Sequence, residues 1–194
     1  MWSAIKKYFL DLVMDEQLQI INASIDVILE QGIRALSVEA VSAEASLDKA
    51  FVEQHFSSAD KLLQALLVHI NEKRALWMDD MVLVESSKDL FCHQYLRWVR
   101  FLSEEEDLFC ILDEMPSYYG EDCYDIKPAF TLKEALRKCK EEGLIVEGDI
   151  DEQLIVINTR LMGFARWIHQ ASFILFDVYM VSHMNTIWDL LKKK

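Results

Sequence analysis

The chain has 194 residues, 52% hydrophobic and 27% charged, with 5 Gly and 2 Pro. It therefore has apolar material for a core, too little polarity for disorder and too few breakers to punctuate a sheet. A formal net charge of −13 favours solubility but adds repulsion to any encounter with a polyanion, which counts against nucleic acid or an anionic membrane unless a local basic patch exists.

The first residues, Met1 to Glu16, carry Lys6 and Lys7 but are interrupted by Asp11, and no small-residue cleavage site follows. With Trp2, Ile5, Phe9, Leu12 and Val13 at helical spacing, they read as a packed or fraying arm. From Glu16 to Gln31, Leu18, Ile21, Ile25, Ile28 and Leu29 recur at three and four, which predicts an amphipathic helix. Gly32 should stop it in the αL conformation. Ser37 can cap a short second helix with Val38, Val41 and Ala45 on its inner face. Ser46 and Leu47 make a tight turn, and Asp48 can cap a third helix running to about His55. Phe56 closes that unit. Ser57-Ser58-Ala59-Asp60 then opens a long fourth helix, with Leu62, Leu63, Leu66, Leu67 and Ile70 on one side. Three helices with a four-residue joint between the second and third make the helix-turn-helix arrangement.

Further helices are expected at about 87–103, 105–115 and 128–142, with an irregular stretch around Pro116, Gly120 and Pro128. The run Glu104-Glu105-Glu106-Asp107 suits a solvated helix start, where it complements the dipole. After Gly143 and Gly148, two last helices span about 150–170 and 172–192 and are apolar nearly all round. Such helices suit a four-helix bundle across a two-fold axis. A homodimer is expected there, through Leu161, Ile168, Phe173, Tyr179, Met180, Met184 and Trp188, with Gly163, Ala165, Ala171 and Ser172 allowing close approach. The uncharged run from Trp167 to Phe176 has 10 residues and is too short to span a membrane, so no membrane partner is expected.

The run Gly32-Ile33-Arg34-Ala35-Leu36-Ser37-Val38-Glu39-Ala40-Val41-Ser42-Ala43-Glu44-Ala45, followed by Leu47-Asp48-Lys49, Phe56, Ser58 and Leu62-Leu63, resembles the DNA-binding domain of the TetR family of transcriptional regulators. The match is gapless over roughly 18–67. The resemblance implies an all-α protein with a three-helix head over 1–60 and a ligand-binding and dimerisation body over 61–194. It implies a homodimer that docks two recognition helices into successive major grooves, with a small molecule in the body altering their spacing.

The candidate DNA contacts of this head are Arg34, Ser37, Asp48, Lys49, Phe51 and His55. Ser37 can hold a phosphate, Lys49 can reach a base or phosphate, and Phe51 can meet a thymine methyl. Ser46 stands where Gly is common. Two departures act against phosphate: Glu53 replaces the family's Tyr, and Ala59 replaces the Lys that opens the fourth helix. Between Ile33 and Lys61, three cations face five carboxylates, a net −2. Affinity for DNA rests largely on phosphates neutralised by Lys and Arg. DNA binding is therefore expected to be weak or strongly salt-sensitive. The alternative is a TetR fold that has lost DNA binding and acts through a protein partner or a ligand.

In the body, Trp98, Phe101, Phe109, Tyr118, Tyr119, Arg160, Phe164 and Trp167 are the candidate ligand pocket. The expected ligand is hydrophobic or aromatic, with an acidic group able to meet one of Arg97, Arg100, Arg160, Arg166 or His169. His55, His69, His93, His169 and His183 form no local ligand pair, so no metal is expected. Cys92, Cys110, Cys123 and Cys139, 18, 13 and 16 apart, lack a C-x-x-C pair and read as mostly buried free thiols in a reducing cytoplasm. No nucleophile elbow, phosphate-cradling Gly loop or dinucleotide fingerprint occurs, so neither catalysis nor a cofactor is expected.

Overall fold

Helical periodicity carries through to the computed structural model, which describes residues 2–78, 84–119, 130–170 and 176–193, with side chains from Glu16 onward except at 78, 116–119, 130 and 131. Among the described residues the α-helices are α1 Trp2–Gln31, α2 Val38–Glu44, α3 Lys49–His55, α4 Ala59–Met78, α5 Ser87–Glu104, α6 Glu106–Tyr119, α7 Phe130–Glu141, α8 Ile150–Gln170 and α9 Phe176–Leu191, with one 3-10 turn at Ile33–Ala35. The fold is all-α.

Two expectations about elements change. Residues 2–15 are not a separate arm but the first half of one 30-residue helix; the packing of Trp2, Ile5, Phe9, Leu12 and Val13 lies outside the described side chains. Pro116 does not start an irregular stretch, because α6 continues through it to Tyr119. A proline three residues from a helix end removes one late backbone donor and leaves the earlier turns intact.

The chain divides into two compact units, Met1–Asn71 with Cys110–Cys123, and Glu72–Phe109 with Tyr124–Lys194. In the first, α1 packs on α2 and α2 on α3. Ile20, Val27, Val41, Val52, Leu66 and Ile70 are fully buried. Each such side chain contributes about 1.5–3 kcal/mol of apolar burial. The inward stripe of α1 runs through Ile20, Ser24, Val27 and Ile28, so Leu18 and Leu29, expected to face inward, fall on the opposite side and are 41% and 39% exposed.

Gly32 ends α1 at φ 82 and ψ 160. That is the mirror-extended region open essentially to glycine, not the αL cap expected from the sequence. The extended ψ sends the chain straight into the 3-10 turn. Its first amide, Ile33 N–H, donates to Glu114 Oε2 at 3.0 Å.

In the second unit α5 packs against α7, α8 and α9, and α7 against α8. Phe91, Tyr95, Phe101 and Leu102 of α5 meet a core that includes Leu136 and Cys139 of α7, Leu161 and Ala165 of α8 and Ile187 of α9. Residues 144–146 pair with the end of α9: Val146 N–H donates to Leu191 O at 2.8 Å, and Lys193 N–H to Leu144 O at 2.9 Å.

Candidate nucleic-acid interface

The head's local geometry follows its caps. Ser37 sits in extended backbone and its hydroxyl oxygen accepts the Ala40 amide at 3.1 Å, fixing the start of α2. At the other end Leu47 N–H donates to Ser42 O at 2.9 Å and Ser46 takes a positive φ of 53. Serine thus occupies a left-handed position that glycine fills without strain. Asp48 Oδ1 then accepts the Ala50 amide at 2.8 Å and opens α3. Both predicted caps are present. Buried Val41 and Val52 clamp the two short helices together.

This places the candidate contacts unequally. Arg34, Asp48 and Lys49 are exposed, and Ser37 is half-buried with its hydroxyl proton still able to donate. Phe51 and His55 are half-buried and pack on each other, ring centroids 4.9 Å apart. His55 Nε2 also lies 3.8 Å from Glu16 Oε2. The outward face of α3 is instead Lys49, Ala50, Glu53 and Gln54, all exposed. Gln54 was missed in the sequence, although its i, i+1, i+4, i+5 relation to Lys49 could have found it.

The electrostatics of that face are self-compensated. The Lys49 ammonium pairs with Glu39 of α2 across the helix-turn-helix joint, and with Glu53 one turn along α3 at 3.4 Å. Hydrogen bonding to Lys49 lowers the Glu39 pKa from its ordinary value, and bonding first to Glu39 and then to Glu53 raises that of Lys49. In the sequence Glu53 stands as an anion facing DNA; its three-membered cluster with Lys49 and Glu39 emerges only from the fold. Ala59 stands half-buried at the first residue of α4, whose amide at Lys61 donates to Ser58 Oγ at 3.3 Å.

In the body unit, Trp98, Phe101, Phe109 and Phe164 are buried, Arg160 is exposed and Trp167 is 41% exposed. Tyr118, Tyr119 and Phe173 lie outside the described side chains. Trp98 stacks on Phe101 at 5.3 Å, and Phe164 stacks on His183 at 4.1 Å. Tyr95 Oη lies 2.7 Å from His183 Nδ1, and burial raises the phenol's pKa while lowering that of the imidazole. Of the expected cationic anchors, Arg97 donates from Nε to Trp77 O, Arg100 pairs with Asp177 at 3.1 Å, Arg166 is exposed, and His169 stacks on Phe109 and reaches Leu102 O at 2.8 Å. Among the described residues the buried cation is Arg74. Glu105 is no free terminus: it accepts from Lys73 Nζ at 3.3 Å and Trp77 Nε1 at 3.4 Å.

Leu161, Met180, Met184 and Trp188 are buried within the chain itself, while Ile168 is half-buried and Tyr179 is 43% exposed. The exposed apolar side chains of α8 and α9 include Ile155, Val156, Trp167, Val178, Val181 and Leu190. Cys139 is buried, Cys92 half-buried and Cys110 exposed, so burial is less general than expected; Cys123 lies outside the described residues. Among the described residues no group of His, Cys, Asp and Glu could hold a metal ion, and no helix is long and apolar enough to cross a membrane.

Residues 20–66 match the family model of bacterial regulatory proteins, tetR family. No curated protein matches the chain in sequence. Among solved structures, a TetR family transcription regulator from Marinobacter aquaeolei VT8 aligns with TM-score 0.78 and 16% identity over 95% of this chain and 99% of that one. A TetR-family transcriptional regulator from Haemophilus influenzae RD aligns with TM-score 0.75 and 17% identity over 94% and 99%. A ketosteroid transcriptional regulator of Mycobacterium tuberculosis aligns with TM-score 0.62 and 12% identity over 92% and 96%. Residues 20–66 thus match the TetR-family helix-turn-helix model, and the chain has the fold of solved TetR-family transcriptional regulators.

Proposed function

We propose that the protein is a homodimeric transcriptional regulator whose DNA binding responds to a small hydrophobic ligand in the body. The observation that carries this reading is the pair of capped helices α2 and α3, which presents Lys49, Ala50 and Gln54 on one exposed face beside Ser37 and Arg34. An amide such as Gln54 can bond the edge of adenine, a small apolar residue such as Ala50 can meet a thymine methyl, and Ser37 and Arg34 can hold backbone phosphates. Two copies would join through the exposed apolar residues of α8 and α9, giving the two-fold arrangement that a pair of half-sites requires. A ketosteroid regulator among the structural neighbours is consistent with an apolar ligand class.

The test is binding of the purified protein to labelled DNA from its own upstream region through a salt series. Saturable, competitor-resistant binding is expected, and Lys49→Glu should abolish it. Lys49 held between Glu39 and Glu53 favours a second reading, in which the head no longer meets DNA and the body acts through a ligand or protein partner. No binding even at low salt would select that reading.

A further inference from the structure

Arg74 of α4 is 8% exposed, and its guanidinium lies over the Trp98 ring, 5.1 Å from the centroid. Its Nη1 is buried and has no hydrogen-bond partner among the described residues. No carboxylate among those residues lies within ion-pair distance of it, in a chain that contains 33 Asp and Glu. Burial alone lowers its pKa to about 10, and no neighbouring charge offsets that effect. An uncompensated buried cation costs several kcal/mol after relaxation, far more than a cation–π contact of about 2 kcal/mol returns.

A second orphan sits nearby in sequence and on the same helix as Trp98. Gln94, 5% exposed, has a buried Oε1 with no partner among the described residues. It lies one helical turn from Trp98, on the same side of α5. A donor without an acceptor and an acceptor without a donor thus border an aromatic cluster in which Trp98 stacks on Phe101 and Trp77 meets Phe101 edge-on at 6.4 Å. Their chemistry is complementary to a planar apolar molecule with an anionic head and a hydroxyl or other donor beside it.

We propose that the body binds an aromatic or otherwise flat apolar carboxylic acid, with its carboxylate taken by Arg74 and its apolar part against Trp98 and Phe101. This rests on the ligand-responsive reading above and names the ligand class. The four arginines and one histidine singled out from the sequence are not needed for it: Arg97, Arg100 and His169 already have partners inside the chain, and Arg160 and Arg166 are exposed. Among the described residues Arg74 is the buried cation that a ligand can neutralise.

The probes are 1-naphthoic acid and its neutral counterpart 1-naphthalenemethanol, titrated into the full chain and followed by tryptophan fluorescence and by thermal midpoint, with no DNA present. The acid should bind at least about tenfold tighter than the alcohol, a preference of about 1.4 kcal/mol. Arg74→Met should remove that preference, leave the alcohol's affinity unchanged, and raise the midpoint of the free protein by removing the uncompensated charge. Equal binding of acid and alcohol, binding of neither, or an acid preference that survives Arg74→Met would overturn the proposal. So would a variant that is less stable or fails to fold, because the guanidinium would then be satisfied within the chain. Acid binding that leaves DNA affinity unchanged would overturn ligand-responsive regulation while leaving the Arg74 site standing.

Discussion

Glu39→Gln combined with Glu53→Gln isolates the role of Lys49. Both substitutions keep side-chain volume and remove the two anions that hold the ammonium. If α3 enters the major groove, each released Lys49 becomes available to one phosphate. Two heads in a dimer then add two contacts, and at about 0.9 per contact the slope of log affinity against log salt steepens by about 1.8. Raising salt fourfold, from 50 to 200 mM, would therefore cost the variant about 12-fold more affinity than the parent loses, and at the low-salt end the variant would bind tighter. The assay is fluorescence anisotropy of a labelled duplex at several potassium chloride concentrations, with circular dichroism to establish that both proteins remain folded. An unchanged slope in a folded variant would refute the placement of Lys49 on DNA. A slope change half as large would mean one head engaged per dimer.

Gly32→Ala forces an alanine into backbone open essentially to glycine and should destabilise the protein by about 1–3 kcal/mol in urea unfolding. The added Cβ would meet only Glu114 Oε2, at 3.7 Å, so a neutral result would mean the backbone relaxes out of that region. Gly163→Ala, in open space inside α8, should instead stabilise by about 0.8–1 kcal/mol; a fall in dimer affinity on sedimentation would place Gly163 at a close helix contact between copies. Phe101→Ala removes a fully buried ring stacked on Trp98 and should cost about 3–5 kcal/mol, read from the urea midpoint, with a cost below 1 kcal/mol excluding a tightly packed site. His183 has its pKa lowered below 6.5 by burial and then by Arg160. The unfolded chain therefore binds that proton more readily, and stability is full above about 6.5 and declines as pH falls toward the depressed value. The thermal midpoint should drop between pH 7.5 and 5.5, and a slope identical in His183→Asn would assign it to another group.

The elements of the head were legible because each is punctuated by residues with a single mechanical use. Ser37 and Asp48 are caps whose side-chain acceptors have few other local roles, whereas the apolar spacing of α1 fitted more than one face and left Leu18 and Leu29 outward. The site was less legible. Phe51 and His55 are large enough to read bases, but nothing in their spacing says they turn toward each other and leave Ala50 and Gln54 outward. The pairing of Glu39 with Lys49 crosses a turn whose geometry depends on Ser46 at positive φ, a conformation serine does not advertise. Arg74 follows Asn71, Glu72 and Lys73, a polar run that looks solvated; its burial is decided by Trp98, more than twenty residues away. Long-range contacts of this kind carry no periodic signal, which is why the cationic anchors sought on α5 and α8 prove to be bonded within the chain, as Arg97, Arg100 and His169 are, or exposed, as Arg160 and Arg166 are.

The short pairing between residues 144–146 and the end of α9 has a consequence for how the body opens. A helix ordinarily frays from its ends, one residue at a time. Here Leu191 and Lys193 are bonded to Val146 and Leu144, so α9 cannot peel away without also releasing the segment that joins α7 to α8. Hydrogen exchange at Val146 and Lys193 should then proceed at one common rate, as a single cooperative unit rather than as a loop and a tail. A perturbation that loosens α9 would be felt at once at the start of α8, and the last turn of α9 acts as a latch on the segment before α8.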